Sequence, residues 1–324
     1  MTFKRLWTGM LAAVVVGLCV PVAVRGIVWI FGSAVEGPAV LAGPHVVAWD
    51  TSDLPFHENF GGLSGLLIEG NTLLAASDRG RLFQARVLRG PDGWLETPTD
   101  ARMVIVPLLR NWPAVNAETD LEGLARMLDG RLVLAFERFA RIDTLENLEA
   151  TPRPTHVWTT FRPYFGNKAF EAVATLPDGR VLAILEGMPN AGSTVAYLWN
   201  GERGPRQEAT GWSAGTDMPL SDGFVIVGAD MGSDGCLYLL DRRFSWVAGF
   251  SHRIRRVSDL KDLGEVIYTS APSVMGNAEG ISMTTLANGD LIATLVTDDN
   301  FVPLPPTRLI EYRLTPGLAC DGAF

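Results

Sequence analysis

Asp120-Leu-Glu-Gly-Leu-Ala-Arg-Met-Leu-Asp-Gly-Arg-Leu-Val-Leu-Ala-Phe-Glu137 reads as two apolar strands joined by an Asp-Gly turn. The pattern recurs. Ala169-Phe-Glu-Ala-Val-Ala-Thr-Leu-Pro-Asp-Gly-Arg-Val-Leu-Ala-Ile-Leu-Glu186 aligns with it apart from one residue near the start. Asn277–Leu295 follows with a two-residue insertion before its turn, and Gly61–Asp78 carries Ser64 where the others place Glu. A weaker copy runs from Asp222 to Asp241. The turn glycines Gly70, Gly130, Gly179, Gly235 and Gly289 lie 60, 49, 56 and 54 residues apart. Repeats of about 40 to 50 residues that each hold a hairpin are what β-propeller blades look like. Five copies are visible, while the sequence before Gly61 and between Phe244 and Ser273 is still to be placed. The expectation is an all-β propeller of six blades, preceded by an N-terminal hydrophobic helix.

Taken alone, Thr119-Asp-Leu-Glu122 satisfies a helical capping box, and Leu121, Leu124, Ala125 and Leu128 fall at helical spacing. The aligned copies favour a strand instead, because Phe170–Leu176 and Gly280–Leu286 are rich in Val, Ile and Thr and carry no helical stripe. Pro152–Pro154, Met188–Ser193 and Val302–Pro306 read as loops, too rich in Pro and Gly for strand interiors. Arg141–Ala150 reads as a short helical insertion. None of these separates regions of different composition, so residues 55–324 read as a single domain and 32–54 as the linker into it.

The composition suits such a body. The chain has 324 residues, 47% hydrophobic and 19% charged, which excludes a disordered chain and a polytopic membrane protein. Lys4 and Arg5 precede an uncharged, mainly apolar run from Leu6 to Val24, and a second short run, Gly26–Phe31, follows Arg25. Residues 1–31 therefore read as a signal peptide or an N-terminal membrane anchor, which would put the body in the periplasm or outside the cell. Beyond residue 31 the chain holds 24 basic residues against 36 acidic ones. That balance repels nucleic acid and attracts cations, so the expected partner is a small molecule. Membrane contact is expected only through the N-terminal segment, and the body is expected to be a monomer. Cys236 and Cys320 could pair in an oxidising compartment, with separate thiols the other reading.

Residues at the start of a blade's innermost strand face the channel mouth, so equivalent positions converge. Glu122, Glu171 and Glu279 hold that position in three copies. Carboxylates brought together repel one another unless a cation joins them, and calcium, which accepts six to eight oxygens in flexible geometry, suits them best. Asn167, Asn277, Asp78, Asp298, Asp299 and Asn300 are further oxygen donors beside the same strands. The competing reading makes the three glutamates turn caps or surface partners of Arg.

These residues carry a resemblance. Phe60-Gly-Gly-Leu-Ser-Gly-Leu66, Ser77-Asp-Arg-Gly80, Asp120-Leu-Glu-Gly-Leu124, Asn167-Lys-Ala-Phe-Glu171, Asn277-Ala-Glu-Gly-Ile281 and Thr297-Asp-Asp-Asn-Phe301, in that order, resemble the family called esterase-like activity of phytase. The similarity spans about Pro55 to Leu314, and there is a weaker one to calcium-dependent β-propeller phytases. It implies calcium and phosphoester hydrolysis. Glu122, Glu171, Glu279 and Asp78 would be the catalytic carboxylates, and Glu122, Glu171, Glu279, Asn167, Asn277, Asp298 and Asp299 the metal ligands. Lys168 and Arg79 would be the donors to a substrate phosphate. A non-catalytic metal-stabilised binding propeller and a metal-dependent lactonase or carboxylesterase are the alternatives. A serine esterase lacks support, because Ser64 in Gly62-Leu-Ser-Gly65 has no sequence-evident base. His45, His57, His156 and His252 show no ligand spacing and read as loop or surface residues, and the Trp residues read as packing between blades.

Overall fold

A computed structural model describes residues 35–324 apart from 37–38, 108–118, 158, 165, 167, 203–210, 302–305, 317–318 and 321–323. Two N-terminal strands, the short β1 (Val35–Glu36) and the longer β2 (Val40–Ala48), precede the repeats. Blade 1 holds β3 (Leu63–Glu69), β4 (Thr72–Ser77), β5 (Arg81–Arg86) and β6 (Thr99–Ile105). Blade 2 holds β7 (Leu121–Arg126), β8 (Leu132–Phe136), β9 (Arg141–Leu145) and β10 (Arg153–Pro154). Blade 3 holds β11 (Phe170–Thr175), β12 (Val181–Leu185), β13 (Ser193–Trp199) and β14 (Thr216–Pro219). Blade 4 holds β15 (Val225–Met231), β16 (Leu237–Ser245), β17 (Gly249–Val257) and β18 (Glu265–Thr269). Blade 5 holds β19 (Asn277–Thr285), β20 (Leu291–Asp298) and β21 (Arg308–Leu314).

The propeller therefore has five blades, not six. The segment between Phe244 and Ser273 is not a further blade but the outer half of blade 4, where β16 runs on to Ser245 and returns as β17 and β18. The N-terminal stretch is divided between two blades: β1 pairs with β18, and β2 pairs with β21 to complete blade 5. Arg141–Ala150 is a strand, β9, followed by a turn, rather than a helical insertion. Cys236 and Cys320 form a disulfide that ties the C-terminal tail to the β15–β16 turn. The leader, residues 1–31, with the helix expected there, lies outside the described residues; among those described, no helix is long and apolar enough to cross a membrane.

The Asp120–Glu137 stretch folds as a strand pair because both faces of the innermost strand are covered. Leu121 to Ala125 are all buried, a pattern that a one-sided helical stripe would not give. Five apolar clusters fill the seams between neighbouring blades. Each is built from Leu, Val, Ile and Ala of two adjoining sheets, at roughly 1.5 to 3 kcal/mol for each large side chain fully buried. Small residues let the innermost strands close up around the axis. A Cβ on Gly280 would stand 2.7 Å from the Ser64 carbonyl oxygen, and one on Gly228 would stand 2.7 Å from that of Glu279. The axis is almost filled as a result, retaining about 10 Å³, room for roughly one water.

Candidate active site

One irregularity repeats in all five blades. Near the start of each innermost strand the pairing with the second strand slips by one residue, and the unpaired residues are Ser64, Glu122, Glu171, Val227 and Glu279. A β-bulge re-aims its side chain. Ser64, Glu122, Glu171 and Val227 line the axial cavity, and Glu279 accepts a hydrogen bond from Ser64 Oγ at 2.9 Å. A second ring follows from the same register. The first residue past the partner of the residue preceding the bulge is Asp78, Glu137, Glu186, Arg242 and Asp298 in turn. Asp120, just ahead of β7, and Asn277, the first residue of β19, add a third layer.

The three glutamates singled out from the sequence are thus drawn into one cluster. Two sets of carboxylates within it have oxygens no more than 4.8 Å apart: Asp120, Glu122 and Glu137, and Glu137, Glu171 and Glu186. Glu137 belongs to both. Burial, reinforced by neighbouring Glu279 and Asp120, holds Glu122 well above the usual carboxylate range. Burial with Glu122 and Glu186 does the same to Glu171. Burial, then Asp120 and Glu186, pushes Glu137 up to about 7. Asp78 rises to about 6 through burial and Asp120, and Asp298 to about 7 through burial and Glu279. Such groups gain by taking up a proton or a cation.

Blade 4 supplies the opposite charge. Its Arg242 Nη1 bonds Glu279 Oε1 and reaches Asn277 Oδ1 at 3.1 Å, while Nη2 reaches Glu186 Oε1 at 3.3 Å. Burial works to lower the pKa of Arg242, but Glu279, Glu171 and Glu186 outweigh it and hold the guanidinium charged. Asn277 also donates to Glu279 and, at 3.1 Å, to Asp298. The cluster is therefore divided: on the blade 5 side Arg242 balances Glu279, and on the side of blades 2 and 3 two carboxylate sets meet at Glu137. On that side Arg138 Nε pairs with Asp120 at 2.8 Å from a half-exposed position. Oxygen-only donors at this spacing fit a hard divalent cation.

Asp299, Lys168 and Arg79 stand apart from the cluster's centre. Asp299 accepts hydrogen bonds from Gly62 N at 3.0 Å, Phe301 N at 2.9 Å and Thr307 Oγ1 at 3.0 Å, which ties blade 5 to blade 1. Lys168 is exposed on the rim beside Glu186. Arg79, also exposed, lies with its guanidinium 3.2 Å from the centre of the Phe301 ring. Asn300 donates its backbone amide to Asp298 at 2.6 Å. Asn167 lies outside the described residues.

Sequence reasoning missed Asp120, Glu137, Glu186 and Arg242. The signal was available for Glu137 and Glu186, which end their aligned windows at the place where Asp78 ends its own. Arg242 was hidden because its copy is the weak one, with Val227 at the glutamate position. Two histidines also depart from expectation: His156 is buried and accepts the Ile142 amide at 3.1 Å. His252 is fully buried, and burial, helped by the neighbouring Arg242 charge, pushes it down to about 3. Trp199 packs in the core between blades 2 and 3 as expected of the tryptophans, whereas Trp246 is 85% exposed.

Comparison with known proteins agrees with this architecture. An α-L-arabinofuranosidase from Podospora anserina, solved with cellotriose, superimposes with a TM-score of 0.51 at 11% identity, over 84% of this chain and 95% of that one. The catalytic domain of a GH62 α-L-arabinofuranosidase from Coprinopsis cinerea gives 0.50 at 12% identity, over 85% and 98%. The PQQ-bound aldose sugar dehydrogenase from Streptomyces coelicolor gives 0.40 at 13% identity, over 85% and 100%. At these identities the likeness to the two arabinofuranosidases is one of fold alone. No curated protein matches. The family model described as esterase-like activity of phytase matches residues 58–301. That span runs from just before β3 through the turn after β20 and contains every residue of both carboxylate sets, so the chain belongs to the phytase-like family.

Proposed function

We propose that the protein is an exported or membrane-anchored, calcium-dependent hydrolase of phosphoesters that works at the channel mouth. The observation that carries this reading is the pair of carboxylate sets sharing Glu137. Calcium, when bound by Asp120, Glu122, Glu137, Glu171 and Glu186, supplies positive charge for an ester's developing oxyanion and acidifies water. The chain's own residues do the rest. Asp298, which belongs to neither carboxylate set and is pushed up to about 7, can hold or release a proton near neutral pH. Arg242 fixes Glu279 and Glu186 in place, and Lys168 and Arg79 stand on the rim as charge-assisted donors to an incoming anion. The filled axis keeps the substrate at the mouth. The apolar N-terminal run supports export.

Turnover of phosphomonoesters, phosphodiesters, lactones and aryl esters by the purified protein, with calcium and with chelator, tests the reading. Chelator-sensitive phosphoester cleavage is expected. Preference for lactones would transfer the same site to carboxylic esters, and no turnover of any substrate would overturn the enzymatic reading.

One observation favours a second reading, a propeller whose cation serves stability or ligand binding. Arg242 already neutralises part of the cluster from within, as a structural ion-pair network does. It predicts calcium-dependent melting without turnover.

A further inference from the structure

The hairpin of β16 and β17 does not end at the cluster. Arg242 and His252 form a cross-strand pair at its level, and the ladder continues through Arg243–Ser251, Phe244–Phe250 and Ser245–Gly249. Residues two apart on a strand share a face, so Phe244 and Phe250 stand on the face that carries Arg242. The contacts are continuous. The Arg242 guanidinium lies 5.6 Å from the Phe250 ring centre, Phe250 and Phe244 are 4.9 Å apart, and Phe244 meets Trp246 edge-on at 5.1 Å.

The opposite face of the hairpin is braced. Arg243 Nη1 donates to the Asp222 carbonyl at 3.1 Å, and the guanidinium groups of Arg243 and Arg253 each stand 4.6 Å from the Phe224 ring. The aromatic face is thereby held upright beside the mouth, and it is uncovered: Phe244 is 45% exposed, Trp246 85% and Val247 51%. Aromatic rings left in water next to a charged cluster offer a platform with an apolar face and a directional edge.

We propose that this wall binds the organic part of the substrate, an aryl or other flat ring-bearing group joined to the anionic ester that the cluster holds. The proposal rests on the reading of the mouth as an ester-binding site. The wall selects against a polyphosphorylated polyol, whose extra anions would lie on three apolar side chains and beside a ring of carboxylates. A mono-anionic ester with one flat substituent places its charge at the cluster and its ring one contact away, on Phe250, Phe244 and Trp246.

Calorimetric binding of phenylphosphonate and of methylphosphonate to the full chain in calcium tests this. Phenylphosphonate is expected to bind about tenfold more tightly. In the double variant Phe244→Ala/Trp246→Ala that ratio falls to near one, and Trp246→Phe largely restores it. Both positions are exposed, and thermal melting verifies folding of the variants. Equal binding of the two probes by the unaltered protein, or a ratio that survives the double substitution, overturns the proposal. Saturation-transfer NMR with benzyl alcohol separates it from the reading it rests on. If neither phosphonate binds but benzyl alcohol still contacts the wall in a Trp246-dependent way, the anion site is wrong and the ring site stands. If no ring compound binds, the wall is wrong. Trp246-dependent binding to phosphatidylglycerol vesicles with no phenyl preference would assign the hairpin tip to a lipid surface and also overturn it.

Discussion

Ser64 donates its hydroxyl proton to Glu279 Oε2 at 2.9 Å, joining the first blade to the last at the mouth of the ring. The same hydroxyl lies beside Glu122 of blade 2, and the two residues line the same axial cavity. Serine at this bulge therefore meets two carboxylates where a fourth glutamate would add repulsion. Ser64→Ala is expected to lower stability by about 1 to 3 kcal/mol, the cost of leaving a buried charged acceptor short of a donor. Urea unfolding measures it; an unchanged midpoint would show that the bond contributes nothing.

Glu137 belongs to both carboxylate sets. Its replacement by Gln should weaken calcium binding more than Glu122→Gln or Glu186→Gln, each of which touches one set. Titration calorimetry of calcium should give a loss of tenfold or more for Glu137→Gln. Equal losses at all three positions would argue against a shared ligand.

Stability should depend on pH in a definite direction. Glu137 and Asp298 titrate near 7 in the folded protein and Asp78 near 6, all above their ordinary values. Between about pH 4 and 7 the folded state thus holds more protons than the unfolded chain, and stability falls as pH rises through that window. In chelator the melting temperature should drop from pH 4.5 to 7 and then level off. Calcium should flatten the decline, because a bound cation replaces the lost protons. A melting temperature that climbs over this range in chelator would contradict the assignment.

Asp299 serves as a clasp, with Gly62, Phe301 and Thr307 all donating to it. Asp299→Ala should cost about 2 to 4 kcal/mol, several bonds to one charged acceptor being lost together. Hydrogen exchange would locate the loosening at the seam of blades 1 and 5. Loosening confined to another seam would refute the clasp.

The repeat made the propeller legible, because each hairpin carries its own turn glycine and a continuous apolar run. The number of blades was not legible. Outer strands such as β17 and β18 carry no turn motif that aligns with the rest, and β2 lies about 260 residues from its partner β21. The glutamates at the bulges were visible as a recurring letter, and that they are bulges was not, since a slip of one residue leaves no mark in composition. Arg242 could be found only through register, which aligns it with Glu137 and Glu186 although its chemistry is opposite. The exposure of Trp246 depends on how far a hairpin overshoots its sheet, which no local pattern encodes.

Blade 5 has a consequence for biogenesis. Its outermost member, β2, precedes every repeat, yet its mate β21 is the last strand of the ring to be made. Whether the polypeptide leaves a ribosome or a translocation pore, that early strand must wait with its backbone donors and acceptors unmatched until the other strands of the ring have emerged. Circularisation of the ring is thus the final act of maturation, and distant pairings of this kind are slow to find. A holding factor that shields the waiting edge would act on β2, and loss of β21 would leave an open-ended arc prone to join its neighbours edge to edge.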